Sequence, residues 1–340
     1  MSDNTRNIYD IARLAGVSIA TVSRVVNGSD KVSEKTRRRV LQVIEDEGYT
    51  PNVFAQGLGL NTMHTVGILV PDISDLYMST CVNFLEEELH ANNYEVILSC
   101  SGFDLARKKN HVEMLLNKRI DALILVGSTY AGDGRSSAQT DYIREAAKSV
   151  PVFVVNGLVE GDNVYCTVCD DRKATRDVTT LLIKRGRKRI LFLSDSHSYS
   201  AQQKLAGYEE ALTSNGLPVL GELRLALGNH EIRCVRDLLL QYQNLAFDAA
   251  VAVEDTIAVG VMKYAAIKGL KVPEDLEITG YNNSVVSIAA TPELTSIDGR
   301  VEEICHETAA RLLSVLSGKT DVEKTVSIEP LIVRRSTTDF

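Results

Sequence analysis

The chain has 340 residues, 44% of them hydrophobic, and a net charge of −8, so it is long enough for two or three compact units with large cores. No apolar run approaches the length of a membrane span, and MSDNTRNIYD lacks the basic-then-apolar pattern of a signal peptide. The six scattered cysteines suit a reducing cytoplasm, the expected location, better than a disulfide framework. Charge is unevenly spread: residues 1–60 carry 8 Lys+Arg against 7 Asp+Glu, the remainder 29 against 38. The acidity therefore lies outside the N-terminal segment and does not argue against nucleic acid there.

From Ile8 to Tyr49 the spacing predicts three short helices. Ile8, Ile11, Ala12 and Ala15 recur at helical intervals until Gly16-Val17 breaks the run, and glycine there can take the positive φ of a tight turn. Ser18 is an N-cap candidate for a second helix to about Asn27, with Val22, Val25 and Val26 inward and Ser18, Ile19, Ala20, Ser23, Arg24 and Asn27 outward. A third helix opens at Ser33-Glu34. Its Val40, Val43 and Ile44 face inward, and Arg37, Arg38 and Arg39 are expected to stay largely wet. Two helices around a Gly-containing turn, with slim polar residues and one Arg on the outer face of the second, fit a helix-turn-helix whose Arg24 can read guanine. From spacing alone, a helical hairpin used for dimerisation or capping stays open.

The run IARLAGVSIATVSRVVNG, then VSEKTRRRV, then GYTPN, closely resembles the head of the lactose-repressor (LacI) family of bacterial transcription regulators. The AGVS-x-x-TVSRVVN core matches without a gap, and a weaker likeness runs to the C-terminus. The resemblance implies that Ile19 and Ala20 choose the operator and that Arg24 reads a base. It gives phosphate and orienting contacts to Tyr9, Ser18, Thr21, Ser23, Asn27, Ser33, Thr36 and Tyr49. With Ile19 and Ala20 both apolar, readout at those bases would be by thymine methyl contact or shape.

Pro51 ends the helical pattern. The segment NVFAQGLGLN reads as a plain linker; the resemblance makes it a hinge helix that folds on operator DNA, with Leu58 wedged into the minor groove. Gly57 and Gly59 cost roughly 1 kcal/mol each in such a helix, making it more dependent on DNA.

From Thr65 onward, TVGILVP, YEVILSC, DALILVG, VPVFVVN, RILFLSD, DAAVAVE and LEITGY read as buried parallel strands alternating with amphipathic stretches. The fold class expected is α/β, a three-helix head followed by doubly wound parallel sheets. No GxGxxG or GxxxxGK[ST] supports a nucleotide cofactor, and no cofactor is expected. The resemblance implies two subdomains like those of periplasmic sugar-binding proteins. The expected organisation is a DNA-binding domain over 1–50, a hinge segment over 51–62 and a core over 63–340. Within the core, one subdomain takes about 63–160 plus 300–320. The other takes about 161–291 plus 322–340, with a final strand over Val326–Val333.

A ligand would sit in the crevice at the strand C-termini, onto which Ser128, Asn156, Asp195, Glu254-Asp255 and Asn282 open. Matched to the family, PDISDLYM brings Asp75 and Tyr77 to one wall. Lys204 replaces the usual sugar-holding Arg in KLAGYEEAL, and Asn282 replaces the usual Asp in GYNNS. Lys lacks the bidentate fork, and Asn is a neutral acceptor. His230 stands near the place of a ring-stacking aromatic, although a lone histidine is more often a surface or satisfied core residue. The effector expected is a small polar sugar or sugar derivative, with Lys204 leaving a single-anion ligand such as a sugar acid open.

No catalytic set assembles. The six histidines are dispersed, no H-x-x-x-H spacing or G-x-S-x-G elbow occurs, and Cys166 and Cys169 form a lone CxxC in a strand. The regulator is expected to act as a homodimer on a pseudo-palindromic operator, since no trailing heptads would make a tetramer. A second reading is suggested by VSRVVNG and Lys204, which also resemble the catabolite-control-protein branch; there the corepressor is a phosphorylated carrier protein. A carbohydrate-binding protein without a regulatory role is the distant alternative.

Overall fold

The computed structural model describes residues 7–26, 29–49, 62–133, 137–228 and 230–340. Asn27, Leu58 and all but the last residue of the expected hinge segment lie outside them. The chain divides into two compact units, residues 1–65 with 118–121, and residues 66–117 with 122–340.

The first unit contains α1 (Ile8–Ala15), α2 (Ile19–Val26) and α3 (Glu34–Asp46). Asn7 and Asp10 form a reciprocal capping box on α1, and Gly16 ends it at φ +60°. Ile11, Ala12, Ala15, Val22, Val25 and Val40 form the core, with Val17, Val43, Ile44 and Tyr49 packed around it. Arg37 departs from the sequence expectation. Its guanidinium donates to the Ser29 carbonyl at 2.7 Å and its side chain is only 22% exposed, because the loop before α3 folds back over it.

The second unit holds two six-stranded sheets. The first comprises β1 (Thr65–Val70), β2 (Glu95–Cys100), β3 (Ala122–Val126), β4 (Val152–Val155), β5 (Val164–Cys169) and β11 (Thr325–Ile328), in the order β11-β5-β4-β3-β1-β2. The second comprises β6 (Ile190–Ser194), β7 (Arg224–Ala226), β8 (Ala249–Ala252), β9 (Glu277–Tyr281), β10 (Thr295–Asp298) and β12 (Leu331–Val333), in the order β12-β10-β9-β8-β6-β7. The β1–β3, β3–β4, β4–β5, β5–β11, β6–β7, β6–β8, β8–β9 and β9–β10 pairs are parallel; β10–β12 is antiparallel. The central strands are buried on both faces and read as continuous apolar runs, whereas edge strand β2 is half exposed.

Helices α4 (Leu76–Ala91), α5 (Leu105–Asn117), α6 (Asp141–Ala146) and α12 (Val301–Leu316) go with the first sheet. Helices α7 (Asp171–Lys184), α8 (Tyr199–Ser214), α9 (Ile232–Gln241), α10 (Asp255–Lys268) and α11 (Val285–Ala289) go with the second. A Cβ on Gly207 would collide with the Arg172 carbonyl, so glycine lets α8 lie directly against α7.

Two expectations about subdomain membership are corrected. The strand Val164–Cys169 belongs to the first sheet, between β4 and β11, so the chain leaves that sheet after residue 169 instead of near 160. The expected single strand Val326–Val333 is two strands. Pro330 has no N–H for a ladder, and across Glu329-Pro330 the chain passes from the first sheet to the second. Three connections thus join the subdomains: Asp170-Asp171, Gly299-Arg300 and Glu329-Pro330.

Candidate functional sites: a helical head and a crevice

In the head, Ser18 precedes α2 and its hydroxyl lies 2.9 Å from that of Thr21, capping the helix start. Ser33 does the same for α3 with Thr36. Ile19, Ala20 and Arg24 are exposed on α2, Thr21 and Ser23 are half-buried, and Val22 and Val25 face the core. Tyr9 is exposed on α1, and Tyr49 packs against the core. Arg13 and Arg38 are engaged with Asp10 and Glu34, while Arg24 has no side-chain partner among the described residues. The outer face of α2 is thus slim, and two capped helix N-termini offer backbone N–H groups to an anion.

The crevice forms where the parallel strands of both sheets end, and it encloses about 100 Å³. Gly127-Ser128 follows β3 and Asn156 follows β4. From the second sheet, Asp195 follows β6, Glu254 follows β8 by one residue, and Asn282 follows β9. Asn156 and Asn282 take positive φ, +60° and +90°, which asparagine tolerates better than most residues and which turns the chain sharply at the strand end. The walls touch: the Ser128 hydroxyl donates to that of Ser198 at 2.9 Å, and Gln202 donates to the Asp133 carbonyl at 2.6 Å.

Of the nine sequence-predicted crevice residues, Asp75, Tyr77, Ser128, Asn156, Lys204, His230, Glu254 and Asn282 line this cavity. Their side chains differ in what they present. The Asp75 carboxylate caps α4 by accepting from the Met78 N–H at 2.9 Å, and burial raises its pKa above the usual carboxylate range. Tyr77 lines the cavity while its hydroxyl is buried near Cys81, Cys169 and Cys305. Lys204 is buried. Its ammonium donates to the Val253 carbonyl at 3.2 Å and sits 3.5 Å from the centre of the Tyr281 ring. The ninth, Asp255, is committed inward as the first residue of α10, accepting from the Ser284 N–H at 2.7 Å and from the Ser284 and Ser296 hydroxyls at 2.8 and 2.6 Å.

His230 is a crevice residue and not a core one. Its Nδ1 lies 3.1 Å from Asp195 and 3.9 Å from Glu254. The Asp195 hydrogen bond, with help from Glu254, raises its pKa to about 9. Burial, then repulsion from Asp195 and Asp75, pushes Glu254 up to about 7. Sequence reasoning placed Asp195 at a strand end without counting it among the ligand residues, and missed Phe103, Ser196 and Ser198, which also line the cavity. The polar run SDSHSYS after an apolar strand was the signal available.

Residues 7–52 match the model for bacterial regulatory proteins of the lacI family, and residues 179–337 match a periplasmic binding protein-like domain. An HTH-type transcriptional regulator of Lachnoclostridium phytofermentans is 45% identical, with 97% of this chain and 99% of that protein covered. The chain belongs to the lacI family. It is a transcription regulator and not an enzyme. Catabolite control protein A of Priestia megaterium is 33% identical over 94% of this chain and 95% of its own length. Among solved structures, a complex of the transcriptional regulator CelR with cellobiose is similar at a TM-score of 0.70 and 25% identity, covering 98% of this chain and 100% of that one. Among the described residues no helix is long and apolar enough to cross a membrane.

Proposed function

We propose that this lacI-family regulator represses transcription by binding a pseudo-palindromic operator as a homodimer, and that a small sugar-like ligand in the crevice sets its operator affinity. The observation that carries the ligand half is the cavity itself, in which both subdomains contribute polar side chains at the carboxyl ends of parallel strands. A ligand touching both walls binds the closed and opened arrangements with different affinity, which is the requirement for control. Cellobiose in the CelR complex is a precedent for a sugar with a regulator of this fold.

For the operator half, Ile19, Ala20 and Arg24 are the groove-facing residues in this reading. The starts of α2 and α3, with Ser18, Thr21, Ser33 and Thr36, contact phosphates, and Tyr9, Ser23, Asn27 and Tyr49 orient them. Leu58 wedges the minor groove. A second copy packs on the exposed apolar face of α10 and α11, where Val285 and Ile288 are 69% and 56% exposed beside Val259, Met262 and Ala266. Selection of DNA from a random pool by the full chain, repeated with a carbohydrate panel, tests both halves. A two-fold symmetric site whose affinity one sugar changes supports the reading; unsymmetric sites, or affinity that no sugar alters, overturn the corresponding half.

The similarity to catabolite control protein A favours a second reading, in which a phosphorylated carrier protein is the corepressor. Operator affinity that rises with such a protein and ignores every sugar would select it.

A further inference from the structure

We propose that the effector carries a primary ammonium group, as an amino sugar does, seated between Asp75 of the first subdomain and Glu254 of the second. This inference rests on the crevice being the effector site. The Asp75, His230 and Glu254 ligand atoms all lie within 4.8 Å of one another. His230 Nδ1 is engaged with Asp195 at 3.1 Å, which leaves the Asp75 and Glu254 carboxylates as the oxygen acceptors within reach of one ammonium.

The surrounding charges point the same way. Three carboxylates, Asp75, Asp195 and Glu254, meet in the cavity, and Asp195 is engaged with His230. Lys204 offsets part of the charge of Glu254 through space, but the hydrogen bond and ring contact of its ammonium go to the Val253 carbonyl and Tyr281. Among the described residues no arginine lines the cavity. A phosphate or sugar acid, which the sequence left open, would meet carboxylates instead of a fork of donors. Burial raises the pKa of Asp75 and Glu254 even though His230 acts against the shift at both, so a cation seated between them would favour their charged forms. An independent observation lies on the wall beside them. The Oδ1 of Asn156 is a buried acceptor without a partner among the described residues and lines the same cavity, so a ligand donor there would satisfy it.

The remaining lining matches a sugar body, with Ser128, Ser196, Ser198 and Asn282 for hydroxyls and Phe103 for a ring face. Protonated His230 and a ligand ammonium would repel, so the histidine stays with Asp195 while the ammonium takes Glu254.

Titration calorimetry on the full chain with glucosamine, glucose, N-acetylglucosamine, glucuronic acid and zinc or manganese chloride tests this. The expected result is binding of glucosamine at least tenfold tighter than of the neutral or acidic sugars. Glu254→Gln and Asp75→Asn should each lose at least tenfold of that affinity while keeping an unchanged far-ultraviolet spectrum. Neutral sugars binding as tightly as the amine, with affinity lost in Asn282→Ala, would overturn the ammonium while leaving the crevice as effector site. Saturable metal binding without sugar, abolished by His230→Ala, would replace the ammonium by a cation site. No binding by any of these sugars would overturn it as well.

Discussion

Arg24 is exposed, long and without a described partner, on a helix face otherwise made of Ile, Ala and small hydroxyl residues. Arg24→Ala should cost about 1–3 kcal/mol at one base pair of the operator and relax preference there, read from binding isotherms on single-base variants. Equal losses on every variant would make it a phosphate contact. In the crevice, burial raises the folded-state pKa of Glu254 from 4.5 to about 7. The folded state therefore holds that proton more tightly, and the stability it adds below pH 4.5 is lost as pH rises toward 7. His230 has the same sign in a higher window, its contribution present below pH 6.5 and lost through about 9. It is 41% exposed, so solvent screens much of its effect. Glu254→Gln should accordingly raise the melting temperature at pH 8 and flatten its fall between pH 5 and 7. A parallel downward shift at all pH values would deny that burial and the neighbouring acids disfavour the charged form of this carboxylate.

Single side chains also mark where reading the sequence stopped. Position along the motif was enough to bring Asp75, Asn156, Lys204, Glu254 and Asn282 to one cavity. Direction was not legible, because it depends on partners far away in the chain. Asp255 turns toward Ser284 and Ser296, the Tyr77 hydroxyl toward Cys81 and Cys305, and the Lys204 ammonium toward Tyr281.

Among elements, α7 and α8 make a tight contact through Gly207, whose added Cβ would meet backbone. Backbone cannot rotate aside as a side chain can, so Gly207→Ala should destabilise the core by about 1–3 kcal/mol or more, measured by chemical denaturation. It should leave the head's affinity for nonspecific DNA unchanged. A change below about 0.5 kcal/mol would show that the helices separate at little cost. The strands that the sequence revealed are those with unbroken apolar runs, such as Val66–Val70 and Ala122–Val126. Sheet membership was hidden because pairing is long-range: nothing local in Val164–Cys169 says that its neighbours are Val152–Val155 and Thr325–Ile328.

At the scale of the whole molecule, Val285 and Ile288 stand exposed beside a groove along α10 and α11. The double variant Val285→Asp, Ile288→Asp should sediment as a monomer and lose most operator affinity, since one head offers few base contacts. An intact dimer would move the interface elsewhere.

The three connections also fix an order of events during synthesis. The segment that builds most of the second sheet, residues 171–298, lies inside the segments that build the first. The first sheet is short of β11 and α12 until residues 301–328 have been made. A ribosome delivering the chain at about 5–20 residues per second must leave β5, already made, with an open edge while the whole inserted lobe emerges. The lobe begun later can thus fold before the one begun first. Burst-labelling of stalled nascent chains should find residues 190–252 protected from exchange before residues 164–169.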